Sequence, residues 1–289
     1  MTTFSIVIPT LNAEGRIEKL LRRLILLTKG FAAEIIVIDS GSRDNTKKII
    51  SRLTQEFPNI RFHKIGQENF NHGLTRNLGT RLARGKYVCF ISQDALPTHQ
   101  RTFKYFLEDF SLGEAVVAVF AKDVPAKEVA NFLKLEHTCR YRDMDRLAKG
   151  KPLLQTKKDA GRYAKEVNYY GLSNVFSCYK KSFLLKHPFV KIPFGEDLLM
   201  GKFIIEKGFA KIYDPRLMVV HHQNINLWDY YLRQKHDLAL RLGKMRLKDR
   251  PQLLCKLKGI LSGKDSLLKK IYYTFELGVY YLVKLAAYI

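Results

Sequence analysis

The sequence predicts an α/β layer fold: a mostly parallel central sheet flanked by helices, with a helical appendage at the C-terminal end. Three observations carry this. From residue 4 to about residue 120, short β-branched and apolar runs alternate with helical patterns, as parallel strands joined by crossover helices require. Polar clusters follow three of the apolar runs, two of them bearing Gly and Asn, which suits turns that pass close to a ligand. The 289 residues, 46% hydrophobic and 12% aromatic, are enough to bury a sizeable core, so disorder is not the expectation.

The elements follow in order. "FSIVIP", "EIIVID", "IRFHKI", "KYVCFI" and "AVVAVF" read as strands, and residues 14–27, 45–56, 74–83 and 98–110 as helices by their hydrophobic periods. "PTLNAEG", "DSGSRDNT" and "SQDALP" follow the first, second and fourth strands. Open sheets of this kind bind ligands beyond the carboxyl ends of their strands, so the three loops are expected to converge on one crevice. Residues 121–170 lose the rhythm and read as a polar, basic excursion, part helix and part mobile loop, beside that crevice; Tyr141 and Arg142 are its expected acceptor contacts. The pattern resumes with "SNVFSCY" as a strand, "GEDLLMGKFIIEKG" as a helix and "AKIYDPRLMVVHH" as strand and turn. Residues 1–225 form the main domain on this reading, and residues 226–289 a basic helical region.

That last region ends in "IYYTFELGVYYLVKLAAYI", apolar nearly all round but for Glu276 and Lys284. At about 1.5 Å per residue it only just matches a hydrocarbon core of about 30 Å, and two charges count against spanning. Five tyrosines with Lys264, Lys269 and Lys270 upstream suit the headgroup region of an anionic membrane. The alternative is a helix that packs on the main domain or on a second subunit.

Fifty Lys and Arg against twenty-seven Asp and Glu leave a formal charge of +23, a field that recruits anions. Phosphorylated small molecules and an anionic membrane surface are the expected partners. Nucleic acid is not, since no RNA-recognition motif or zinc finger is present. Cys89, Cys139, Cys178 and Cys255 lie far apart in sequence, without the close pairs of zinc or redox motifs. The amino terminus carries no basic leader and meets Pro9 early. A cytoplasmic protein, peripheral on the inner face of the cell membrane, is the expectation.

Several residues could carry chemistry. Asp39 either accepts the N–H of a pyrimidine base or a ribose hydroxyl, or forms a turn before Ser40 and Gly41. Arg76 and Asn77 fall in the first turns of a helix, where a guanidinium can engage phosphate oxygens, or else lie on a solvated face. Glu196 and Asp197 open an apolar helix, where acids are favoured by the dipole whether or not one acts as a general base. Asp94 closes a strand with one carboxylate, and a divalent ion needs more than one ligand. His221 or His222 could complete its coordination; neighbours on a strand face opposite ways, so at most one enters the crevice.

Taken in order, "SIVIPTLN", "EIIVIDSGSRDNT", "NHGLTRNLGTRLARGKYVCFISQDALP", "GEDLLMGKFIIEKGFAKIYDP" and "VVHHQN" resemble the family 2 glycosyltransferases of the GT-A fold, over roughly residues 3 to 240. "FNHGLTRNLG" with "SQDALP" looks most like the bacterial rhamnosyltransferase branch, which builds cell-surface polysaccharides. The resemblance implies inverting transfer of a sugar, rhamnose in that branch, from a dTDP- or UDP-sugar to an acceptor hydroxyl, with a glycan on a polyprenyl diphosphate as a candidate acceptor. It implies that Pro9, Thr10, Asn12, Asp39 and Ser40 line the nucleotide pocket, with Arg76, Asn77 and Gln93 beside the diphosphate. Asp94 matches the last acid of the family's Asp-x-Asp motif, which touches Mg²⁺ or Mn²⁺, and His221 the family's histidine after "VV". Asp197, with Glu196 beside it, matches the general base. Ser92 stands where the family usually has its first acid, so diphosphate oxygens, water and His221 must supply the remaining coordination. That departure leaves a rival reading, a family member that kept the fold but lost catalysis and acts as a scaffold; the charge of +23 alone motivates a second, a basic nucleic-acid binder.

Overall fold

The computed structural model describes residues 2–129, 131–163 and 169–223, with single positions at 274, 278 and 282. Apart from those three positions, the expected membrane-facing tail lies outside the described residues. Among the described residues no helix is long and apolar enough to cross a membrane.

The strands are β1 (Phe4–Thr10), β2 (Ala33–Asp39), β3 (Ile60–Lys64), β4 (Tyr87–Ile91), β5 (Ala95–Pro97), β6 (Val116–Pro125), β7 (Leu153–Gln155), β8 (Phe176–Lys180) and β9 (Ala210–His221). They form one sheet in the order β3-β2-β1-β4-β8-β6-β9-β5, with β7 also on β9. Six strands point one way; β8, β5 and β7 run against them. The reversed β8 matters most for the crevice. Its start pairs with the end of β4, Ile91 opposite Phe176, so residues just after β4 meet residues just before β8.

Helices α1 (Ile17–Leu27), α2 (Thr46–Glu56), α3 (His72–Leu82), α4 (Thr102–Phe110), α5 (Asn131–Ala148), α6 (Lys157–Tyr163), α7 (Lys181–Lys186) and α8 (Glu196–Glu206) cover the sheet. Alternate strand residues feed two cores, as a period of two demands. Phe4, Ile6, Ile8, Val37, Cys89 and Ile91 pack with Leu21 and Leu24 of α1 and Phe106 of α4. Val7, Ile36, Ile38, Val88 and Phe90 pack with Met144 of α5 and Ile204 of α8. With both faces covered, these strands read as continuous apolar runs, and each fully buried Ile, Leu or Phe contributes roughly 1.5–3 kcal/mol.

Two sequence expectations are revised, and one contact is new. Residues 121–125 continue β6, and an 18-residue helix, α5, follows from Asn131. The expected excursion is thus largely regular structure, and Tyr141 is buried against Asp123, to which its hydroxyl donates, so it offers no acceptor contact. β9 is one long strand whose register shifts opposite Ala121/Lys122, a break that accommodates Pro215 inside the strand. Cys89 and Cys178 are register partners in β4 and β8, free buried thiols with sulfurs 2.6 Å apart.

Candidate functional site

The loops after β1, β2 and β4 meet through side chains. Asn12 donates its N–H to Ser42 Oγ (2.8 Å) and accepts from the Arg43 N–H at Oδ1 (2.9 Å). Gln93 clamps Leu11 in both directions, accepting its N–H at 2.7 Å and donating to its carbonyl at 2.9 Å. Ser40 donates N–H and hydroxyl to the Thr10 carbonyl, each at 2.9 Å, and the Thr10 hydroxyl donates back to Ile8 O. Pro9 is partly buried just before that joint. Between the loops lies a cleft of about 60 Å³ lined by Asn12, Ala13, Gly15, Arg16, Gln93 and Asp94.

Asp39 is buried, and both its oxygens serve its own loop: Oδ2 accepts the Gly41 and Ser42 N–H groups and Oδ1 the Ser42 hydroxyl. Of the two readings of this residue, the turn is the one visible here.

Asp94 and His221 come together across β5 and β9. His221 Nε2 stands 3.4 Å from Asp94 Oδ1 and the imidazole is buried, while the His222 N–H donates to Asp94 O (2.8 Å) and its ring turns to Glu128. Burial disfavours charge on both partners, but their mutual attraction outweighs it. The Asp94 carboxyl is held below its usual range by His221, and Asp123 and Asp94 raise the imidazole to about 9. A carboxylate oxygen and an imidazole nitrogen at this spacing fit two ligands of one divalent ion, each bonded at about 2.1 Å. Ser92 is engaged through its backbone, its N–H donating to Val175 O at 3.0 Å.

The acids of α8 lie just across that segment. Gly195, at φ 86°, turns the chain into the helix, a conformation glycine adopts without a Cβ clash. Asp197 then accepts the Asn174 N–H (3.1 Å) and the Leu198 N–H (2.8 Å). Burial, then the Glu196 charge, raise its carboxyl to about 6. Glu196 and Arg76 form a buried ion pair. Arg76, expected at a diphosphate, therefore faces Glu196 and does not line the cleft at Asp94. Asn77 exchanges two hydrogen bonds with the Phe189 backbone, at 2.8 and 2.9 Å. Its amide thereby fixes that loop.

Sequence reasoning missed Arg16, the cation that does line the cleft; a charged residue opening an amphipathic helix gave no distinguishing signal. It also missed Asp123 and His137, which with His221 bring three potential metal-ligating atoms within 4.8 Å of one another.

Comparison with known proteins places these features in a family. The family model for glycosyl transferase family 2 matches residues 5–178. An O-antigen chain rhamnosyltransferase of Salmonella typhimurium, RfbN, is 27% identical over 224 residues, 76% of this chain and 66% of the relative. WbaN of Salmonella anatum, with the same description, is 28% identical over 232 residues, 78% of this chain and 67% of the relative. The chain thus spans about two thirds of these curated relatives. Among solved structures, the mannosyltransferase PcManGT from Pyrobaculum calidifontis, in complex with GDP-Man and Mn²⁺, superposes with a TM-score of 0.62 at 16% identity, over 99% of this chain and 84% of that one. S. aureus TarS residues 1–349 in complex with UDP-GlcNAc gives 0.59 at 16% identity, over 90% and 81%. The fold shared with these structures is GT-A.

Proposed function

The chain belongs to glycosyl transferase family 2, and from that membership we propose that it is an inverting transferase passing a sugar from a nucleoside diphosphate to an acceptor hydroxyl. The likeness to two O-antigen rhamnosyltransferases favours rhamnose carried on dTDP or UDP, and a lipid-linked or surface-polysaccharide glycan as acceptor. The observation that carries this reading is the joint between the two acids. Ser92, in the Asp94 loop, bonds Val175, and the adjacent Asn174 bonds Asp197. One carboxylate in the cleft between the strand-end loops and a second, of raised pKa, one segment away suit a leaving diphosphate and an attacking hydroxyl respectively.

In this scheme Asp94 and His221 would hold an Mg²⁺ or Mn²⁺, which would supply positive charge to the leaving diphosphate. Asn12 and Gln93 shape the nucleotide side of the cleft, and Arg16 adds a cation at its mouth, where negative charge develops. Asp197 takes the proton from the acceptor hydroxyl as the new bond forms on the face opposite the leaving group, which gives inversion. Arg76 acts at one remove by neutralising Glu196, so that Asp197 retains access to its charged form. Residues 1–225 form the catalytic domain, and residues 226–289 rest on an anionic membrane surface that presents the acceptor.

A thermal-shift screen against UDP, dTDP, GDP and their sugars, each with EDTA or Mn²⁺, tests the reading. One nucleoside diphosphate should stabilise the protein, by about 2.7 kcal/mol at a hundredfold excess over Kd, more so with Mn²⁺ and less so in D94A. Absence of a shift with every nucleotide would sink the reading. Ser92 at the first acid position favours one alternative, a non-catalytic scaffold; nucleotide binding without sugar transfer, unaffected by D197A, is its signature.

A further inference from the structure

His221 lies between two carboxylates, not one. Its Nε2 is 3.4 Å from Asp94 Oδ1 and its Nδ1 3.7 Å from Asp123 Oδ2. Asp123, near the end of β6, is only 2% exposed and is held from α5 at Oδ1, while the Nδ1 atoms of His137 and His221 lie near its other oxygen without making a hydrogen bond to it. The Tyr141 hydroxyl donates to Oδ1, and His137 Nδ1 is 3.0 Å from Oδ2. Tyr141 is itself fixed by stacking on Tyr213 of β9 at 5.6 Å, and the Tyr213 hydroxyl donates to Asp145 at 2.6 Å. The carboxylate therefore has little freedom to turn away from the imidazole.

A buried imidazole with an acid at each nitrogen must settle which nitrogen carries its proton when a cation arrives at one of them. We infer that Asp123 is a positioning residue for the divalent ion: its carboxylate, facing Nδ1 of His221 at 3.7 Å, favours the ring proton on Nδ1 and so leaves Nε2 as the lone pair turned toward Asp94. A ligating histidine whose second nitrogen is bonded to a carboxylate is fixed in tautomer and ring orientation and becomes a better donor. This matters more here than in a site with two acids in its loop, because Ser92 supplies no carboxylate and His221 is the protein ligand that must compensate. Tyr141 holds Asp123 in place, with His137 beside it, and neither lines the cleft.

The inference rests on the donor-side ion proposed above. The experiment is a titration of Mn²⁺ into the full chain, with and without UDP, following free Mn²⁺ by its EPR signal, while UDP affinity in EDTA is measured in parallel. D123N should weaken Mn²⁺ binding by roughly 10- to 100-fold and leave UDP affinity in EDTA unchanged. In an H221Q background D123N should cost nothing more, because its effect passes through the imidazole; a general packing role would add to the H221Q loss. H137Q should give a smaller loss in the same direction, absent again in H221Q, and it carries the test if D123N folds poorly. Unchanged Mn²⁺ affinity in D123N, or losses that multiply in the double variant, overturns the inference. So does an ion that survives D94A but not H137Q, which would put the metal on Asp123, His137 and His221 themselves. A wild type that binds UDP in EDTA but never Mn²⁺ overturns the inference too, while leaving the transferase reading standing.

Discussion

Asp197 sets the acid limit of the proposed reaction. Its carboxyl is raised from 3.8 to about 6 by burial and then by Glu196, and a general base works only when deprotonated. Turnover should therefore fall about tenfold per pH unit below about 6, and D197N should lose on the order of 10²- to 10⁴-fold in kcat with UDP affinity intact. The same shift has the opposite sign for stability. The folded state binds this proton more tightly than the unfolded chain, so the residue's contribution to stability falls as pH rises from about 4 through about 6. Arg76 and Glu196 offer a second measurement. With side chains only 8% and 5% exposed, R76M strands a buried carboxylate and should cost about 3–5 kcal/mol in urea unfolding. The R76M/E196Q double variant should recover much of that loss, since it removes the stranded charge.

At the scale of elements, α8 delivers both acids and is seated by a close approach. A Cβ on Gly201 would lie 2.3 Å from Tyr170 O and 3.0 Å from Leu172 Cβ. G201A should therefore lift the helix off that segment, lowering Tm by several degrees and kcat with it, while the donor KM changes little. The sheet was legible in the sequence because strands covered on both faces leave unbroken apolar runs, and "EIIVID" and "YVCFI" are such runs. Helix α5 was not. Its sequence, NFLKLEHTCRYRDMDRLA, mixes charge into nearly every turn, and its placement comes from a few contacts such as Tyr141 with Asp123 and Lys122 with Asp145. The loop positions of Asp94, Asn12 and Gln93 could be read from the strand ends they follow. What those side chains bond to could not. Arg76 meets Glu196 across 120 residues, Asn77 meets Phe189 across 112, and no local period records a pairing that only the finished sheet creates.

For the whole molecule, a formal charge of +23 raises the local concentration of anions and makes every encounter with them sensitive to salt. Full-length protein should sediment with vesicles containing anionic lipid and not with zwitterionic ones. Raising salt to about 0.5 M, where screening acts within a few ångströms, should release it; binding that ignores salt would argue for apolar insertion instead. The order of β4 and β8 in the sheet has a further consequence, for the sequence of events in turnover. Because Ser92 is bonded to Val175 and Asn174 to Asp197, any shift of the Asp94 loop on donor binding would be passed to Asp197, the proposed base. Such a linkage favours a compulsory order, with donor entering first and nucleoside diphosphate leaving last. In steady-state rates UDP or dTDP should then compete with the donor and inhibit noncompetitively against the acceptor, whereas random entry would break that pattern.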